Sequence, residues 1–238
     1  MHDSLMSDST LPLAECLRSP ETAMAPDMRT SMFAGQATPS LAAHHAEIAT
    51  IRLSPAVPEP IAIQFETVRN LYLYAWHVYR FYMVAEVQAL TTLELGLKTR
   101  LPVQLPEPYQ RKWQKRPMLA GMLGYAIDQG IVRNEGFRRW HDAAERTARQ
   151  RRSFEAVRTM IAQQLEVMEF DDAAPVEITQ EDQRWDLVAV LRDSLPQHRN
   201  ELAHGSTMLT RQVRGTIEIV AEILDQLFSS PSERTCHD

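Results

Sequence analysis

LYLYAWHVYRFYMVAEVQALTTLELGLKTR, residues 71–100, decides the fold class. Within it Leu71, Ala75, Val78, Tyr82, Ala85, Ala89, Leu93 and Leu97 recur at spacings of three and four, the period of one helical face. A second apolar set, Tyr72, Trp76, Tyr79, Met83, Val87 and Leu90, covers much of the opposite side. No proline falls between residues 65 and 100, and Gly96 is the single glycine there. The pattern therefore predicts continuous helix across the stretch. A helix apolar most of the way round has to be covered on two sides, at a bundle centre or in an oligomer interface. His77, Arg80, Gln88 and Thr92 leave one narrow polar stripe. His77, Arg80 and Glu86 interrupt the most apolar run, residues 71–87, which excludes a membrane span there.

Helical signals continue downstream. Residues 101–108 hold three prolines and read as a connection. Pro117 suits a first helical position, and Gly130 a stop, for a helix running to about Ile127. Residues 137–170 read as helix with Trp140, Ala144, Phe154, Val157, Ile161 and Leu165 as the inner face. Residues 166–186, with eight carboxylates against Arg184, read as an acidic loop broken by Pro175. Helix resumes over 185–195, Pro196 kinks it or starts a new turn, and Gly205 ends it. Residues 207–228 make a last amphipathic helix through Leu209, Val213, Ile217, Val220, Ile223, Leu224 and Leu227. No alternating strand pattern competes, so the expected fold is all-α.

The composition of the 238 residues agrees. Hydrophobic residues make up 44% and charged residues 24%, as in soluble globular domains. Only eight glycines argue against turn-rich sandwiches and glycine-rich phosphate loops. Cys16 and Cys236 form neither a metal cluster nor a disulfide framework, which points to a reducing, cytoplasmic setting. No basic region followed by an apolar run opens the chain, so no signal peptide is expected. Residues 1–60 hold seven of the 14 prolines, carry a net charge of −4 and show no sustained period. They read as a disordered or weakly structured tail, with a turn near residues 48–53, before a helical domain over 61–230 and a flexible end over 231–238.

The chemistry concentrates in LPQHRNELAHGS, residues 195–206. Arg199, four residues, then His204 is a common spacing in a chain with 22 arginines and eight histidines. Its flanks narrow it: Asn200 is one of three asparagines and Gly205 one of eight glycines. On an ideal helix Asn200 and His204 share a face, while Arg199 lies about 140° round from His204. A cleft shared by two chains, or a bend near Pro196, relieves that separation.

Arg-Asn-x-x-Ala-His-Gly at the end of a helix, followed by a last amphipathic helix, resembles the HEPN superfamily (higher eukaryotes and prokaryotes nucleotide-binding). The stretch from Tyr79 to Leu101, with Glu86, Glu94 and Arg100, is similar to the first long helix of that fold. The resemblance covers residues 65–228 and is specific over the seven from Arg199 to Gly205. It implies a homodimeric helical bundle and metal-independent endoribonuclease chemistry of the toxin–antitoxin or phage-defence kind, without a cofactor. In that reading His204 is the acid/base, Arg199 the phosphate clamp and Asn200 the orienting group. RNA is the substrate, and an antitoxin or another protein is a possible partner. Some members only bind, so a non-catalytic module recognising RNA, nucleotide or protein stays open beside the enzyme. The plain alternative is that Arg199 pairs with Glu201, Asp193 or Glu94 and His204 caps its helix. Ser206 stands where partner-modified members carry tyrosine, which argues against control by that modification. The 1–60 tail has no counterpart in a minimal bundle.

Residues 111–152 hold eleven Lys/Arg against four acids, with Tyr109, Trp113 and Trp140 nearby. Arg138, Arg139, Arg149, Arg152 and Trp140 are the candidate RNA contacts, by backbone neutralisation and base stacking. The competing reading is a solvated helix face balanced by the acidic 166–186 segment. His44-His45 has no third ligand nearby, so no metal site is expected, and Ser194 and Ser206 lack a nucleophile-elbow signature.

Overall fold

The computed structural model describes residues 11–32, 40–110, 118–168, 171, 174–204, 210 and 212–229. Among them are eight α-helices and no strand, so the fold is an all-α bundle. The helices are α1 (Met28–Met32), α2 (Leu41–Ala49), α3 (Glu59–Tyr74), α4 (Phe81–Arg100), α5 (Leu119–Asp128), α6 (Arg138–Gln163), α7 (Leu187–Ala203) and α8 (Val213–Phe228). None is long and apolar enough to cross a membrane.

The centre is α4. Tyr82, Ala85, Ala89, Leu90, Leu93 and Leu97 are buried round most of its circumference. Covering that surface takes several partners: α3 and α8 pack most extensively against it, and α5 and α7 touch it as well. Each fully buried Leu or Phe contributes roughly 1.5–3 kcal/mol by leaving water. α8 turns Val213, Ile217, Val220, Ile223, Leu224 and Leu227 inward, as its period requires. Gly96 lets it approach, because a Cβ built there would collide with Leu224 Cδ2.

Two expectations fail together, for one reason. The helix predicted to run continuously to residue 100 is broken at residues 75–80, and α3 and α4 form a hairpin. The backbone groups freed in the break are taken by the N-terminal segment. The Trp76 carbonyl accepts from the Asp27 N–H at 2.9 Å and the Thr30 hydroxyl at 3.3 Å. The Tyr79 N–H donates to Asp27 Oδ2 at 3.1 Å. Arg29 donates to both Asp27 oxygens and to Glu15, and Arg80 donates to Glu15 at 2.5 Å. The expected disordered tail is thus corrected over residues 11–32 and 40–60. Ile48, Ile51 and Val57 join the core, and His44 stacks on Tyr72 with ring centroids 4.7 Å apart. Polar contacts to a turn far along the chain order residues 25–30, which no local apolar period reveals. Residues 1–10, 33–39 and 230–238 lie outside the described residues.

The inner face expected for residues 137–170 also divides. Trp140, Ala144 and Ala148 are buried, whereas Phe154, Val157, Ile161 and Leu165 are exposed. The helix ends at Gln163, where Gln164 adopts a left-handed φ of 53°. Pro196 lies inside α7 without ending it.

Two outcomes test this packing. Gly96→Val should lower stability by about 1–3 kcal/mol through overpacking against Leu224, read by denaturant unfolding. Burial opposes ionisation of Asp27, but Arg29 and the N–H groups of Arg29 and Tyr79 outweigh it and hold its carboxyl at about 2, from 3.8. A depressed carboxyl contributes stability above its unfolded value and loses it as pH falls through the folded one. Amide-exchange protection of residues 25–30 and Tyr79 should therefore drop between about pH 4 and pH 2, and Asp27→Asn should remove that dependence. Equal protection at both ends of the window would refute this role of Asp27.

Candidate functional site

α7 carries the motif, and its seating fixes where each side chain goes. Asp186 caps its start by accepting from the Ala189 N–H at 3.1 Å. Leu187, Leu191, Leu195 and Pro196 are buried and set its rotation against α4 and α5. The helix closes at His204, whose N–H donates to the Asn200 carbonyl at 3.0 Å.

With that rotation Arg199 turns toward α4. Its Nε donates to Glu94 Oε1 at 2.8 Å, and Lys98 Nζ lies 3.6 Å from the other oxygen. The Arg199 side chain keeps 38% exposure, so the guanidinium is anchored but open to solvent. Asn200 and His204 are exposed, one turn apart. All three predicted residues reach the surface at one end of α7, and Arg199 and His204 do not share a face. The structure also realises part of the plainer alternative, since Arg199 ties α7 to α4 through Glu94. Gly205 and Ser206 lie outside the described residues.

One residue before Arg199 is a partnership that sequence reasoning missed. Glu86, in the second turn of α4, is 3% exposed. Its Oε1 accepts from the Thr216 hydroxyl at 2.6 Å and lies 2.9 Å from His198 Nε2. Its Oε2 is buried with no hydrogen-bond partner among the described residues. A signal was there to read. Glu86 follows Ala85 and precedes Ala89 on the surface that the helix must bury, and carboxylates are almost never fully buried unless paired. A donor from a distant helix was therefore required.

The candidate RNA contacts do not form one open face. Trp140 is buried, and its Nε1–H donates to the Trp185 carbonyl at 2.8 Å, so it stands in the packed interior and not on a stacking surface. Arg138 and Arg139 each lie 3.6 Å from Glu218. Arg149 pairs with Glu145 at 2.6 Å. Arg152 donates to the carbonyls of Ala174 and Asp171 at 3.0 and 3.1 Å, and Arg151 pairs with Asp182 at 2.9 Å. The acidic connection thus folds back on the basic half of α6, as the competing reading anticipated. Arg111, Lys112, Trp113, Lys115 and Arg116 lie outside the described residues.

Among the described residues no group of three His, Cys, Asp or Glu side chains is placed to hold a metal ion. No family model matches the chain, and neither the curated proteins nor the solved structures compared with it give a match.

Thr216→Val should cost about 1–3 kcal/mol, because it takes one donor from an already under-partnered buried carboxylate. Chemical unfolding measures this, and an unchanged midpoint would mean that Thr216 is not needed to hold Glu86.

Proposed function

We propose that the chain is a HEPN-like, metal-independent endoribonuclease that acts as a homodimer in the cytoplasm, in a toxin or defence role. The observation that supports this most is the common placement of Arg199, Asn200 and His204. A guanidinium, an amide and an imidazole reach solvent at one helix end, and none is lost in the core.

The chemistry follows from the groups. Arg199 holds a permanent charge and two parallel donors, suited to a phosphate whose charge rises in the transition state. The ribose 2′-oxygen attacks the adjacent phosphorus, the bond to the 5′-oxygen breaks, and a 2′,3′-cyclic phosphate and a 5′-hydroxyl result. His204 moves the proton, a role worth about 10²–10⁴-fold in rate. Asn200, one turn away, orients the ring or the ribose. Because Arg199 and His204 point about 140° apart on one helix, the working pair is Arg199 of one copy with His204 of the other.

A second reading has its own observation. The Arg199–Glu94 bond is a sound interhelical tie, and a module that only binds RNA, nucleotide or a protein partner would use the same surface without chemistry.

Labelled RNA incubated in EDTA separates the two. Wild type should cut, leaving cyclic phosphate ends, and Arg199→Ala and His204→Ala should each lose about 10²–10⁴-fold with folding intact. Mixing the two inactive variants should restore part of the activity, because mixed dimers contain one complete site. Binding without cleavage by wild type at any concentration would leave only the module.

A further inference from the structure

The cross-copy pairing leaves each Arg199 without an imidazole from its own chain, yet the structure places one next to it. His198 and Arg199 both turn toward α4, His198 to Glu86 and Arg199 to Glu94. These carboxylates are eight residues apart, about 12 Å along the helix, so α4 holds the imidazole and the guanidinium at separate points.

We infer that His198 is a further catalytic imidazole of this site, the base that takes the ribose 2′-hydroxyl proton beside a phosphate held by Arg199 of the same chain. The inference rests on the ribonuclease reading above. Glu86 Oε1 faces Nε2 at 2.9 Å, so in this role Nε2 carries the ring proton and Nδ1 offers its lone pair. Nδ1 takes the 2′-hydroxyl proton while the 2′-oxygen bonds to phosphorus. The phosphorus–5′-oxygen bond breaks, and a protonated His204 from the second copy supplies the proton to the departing oxygen. Base and acid are then two separate histidines, and charge and protons balance.

Three features favour this role over a purely structural one. The His198 side chain is 38% exposed, so a substrate can reach the ring. Its orienting carboxylate is held independently by Thr216 from α8, the order of base, orienter and support found where a base is built for use. Third, the ring leaves the helix one residue from the phosphate clamp. Glu86 and Thr216 act through His198 and are positioning residues.

The decisive variant is His198→Gln, whose amide can donate to Glu86 but takes no proton. It should keep the wild-type melting temperature and KM for RNA while kcat falls about 10²–10⁴-fold. Glu86→Gln should lower kcat with KM unchanged, and nitrogen-15 spectra of the His198 ring should change from the Nε2–H form to a mixture of tautomers. His198→Gln mixed with Arg199→Ala should stay inactive, because clamp and base must lie on one chain. If His198→Gln retains full activity while Arg199→Ala and His204→Ala abolish it, the inference falls and the nuclease reading stands. Recovery on mixing His198→Gln with Arg199→Ala would place the base on the other copy and overturn the arrangement. A wild type that cuts no RNA removes both.

Discussion

A carboxylate buried in an apolar helix constrains the rest of this bundle. α4 is buried on several sides, and hydrocarbon alone would allow its neighbours to slide along it. Glu86 removes that freedom, since burying an ionised group costs several kcal/mol unless donors reach it. Two other helices bring groups to it: Thr216 on α8 donates, and His198 on α7 comes within 2.9 Å. One buried oxygen therefore sets the register of both against α4. The motif end of α7 inherits its position from that register: with His198 pointing inward, Arg199 falls beside Glu94, and Asn200 and His204 face outward.

Where the sequence was legible, the reason was local period. The apolar stripes of α4, α5 and α8 are repeated within a few turns and need no distant information. Gly130, at φ 63°, stops the chain where a glycine was expected to. What escaped reading depends on contacts far apart in sequence. The break between α3 and α4 exists because Asp27 and Thr30, some 50 residues earlier, bind the backbone of residues 76 and 79. From α6 alone, Trp140 and Phe154 look like one face. They do lie near one face, but it is buried at Trp140, Ala144 and Ala148 and open from Phe154 onward, where the bundle no longer covers it.

The site divides in the same way. Residue type and flanking residues picked out Arg199, Asn200 and His204, which all reach solvent. Composition alone misled for Trp140, whose indole N–H has an internal carbonyl to serve. His198 was hidden because its meaning lies in a partner 112 positions upstream, and no spacing rule links helices that meet only in the folded bundle.

The two carboxylates of α4 also differ in what they permit. Glu94 and Arg199 form a part-buried pair, 16% and 38% exposed, that solvent still reaches and screens. An arriving phosphate, with charge-assisted and bidentate hydrogen bonds to offer, competes for that guanidinium at little cost. Glu94 thus keeps Arg199 extended and aimed without holding it back from an anion. Glu86 has no such freedom: it is enclosed, one of its oxygens already lacks a partner, and releasing His198 would strip it further. Its place beside the imidazole must persist while substrate comes and goes. An exchangeable partner suits a clamp, and a permanent one suits a base whose ring has to stay in one tautomer. That contrast between neighbouring residues is the strongest physical reason to treat His198 and Arg199 as one working pair.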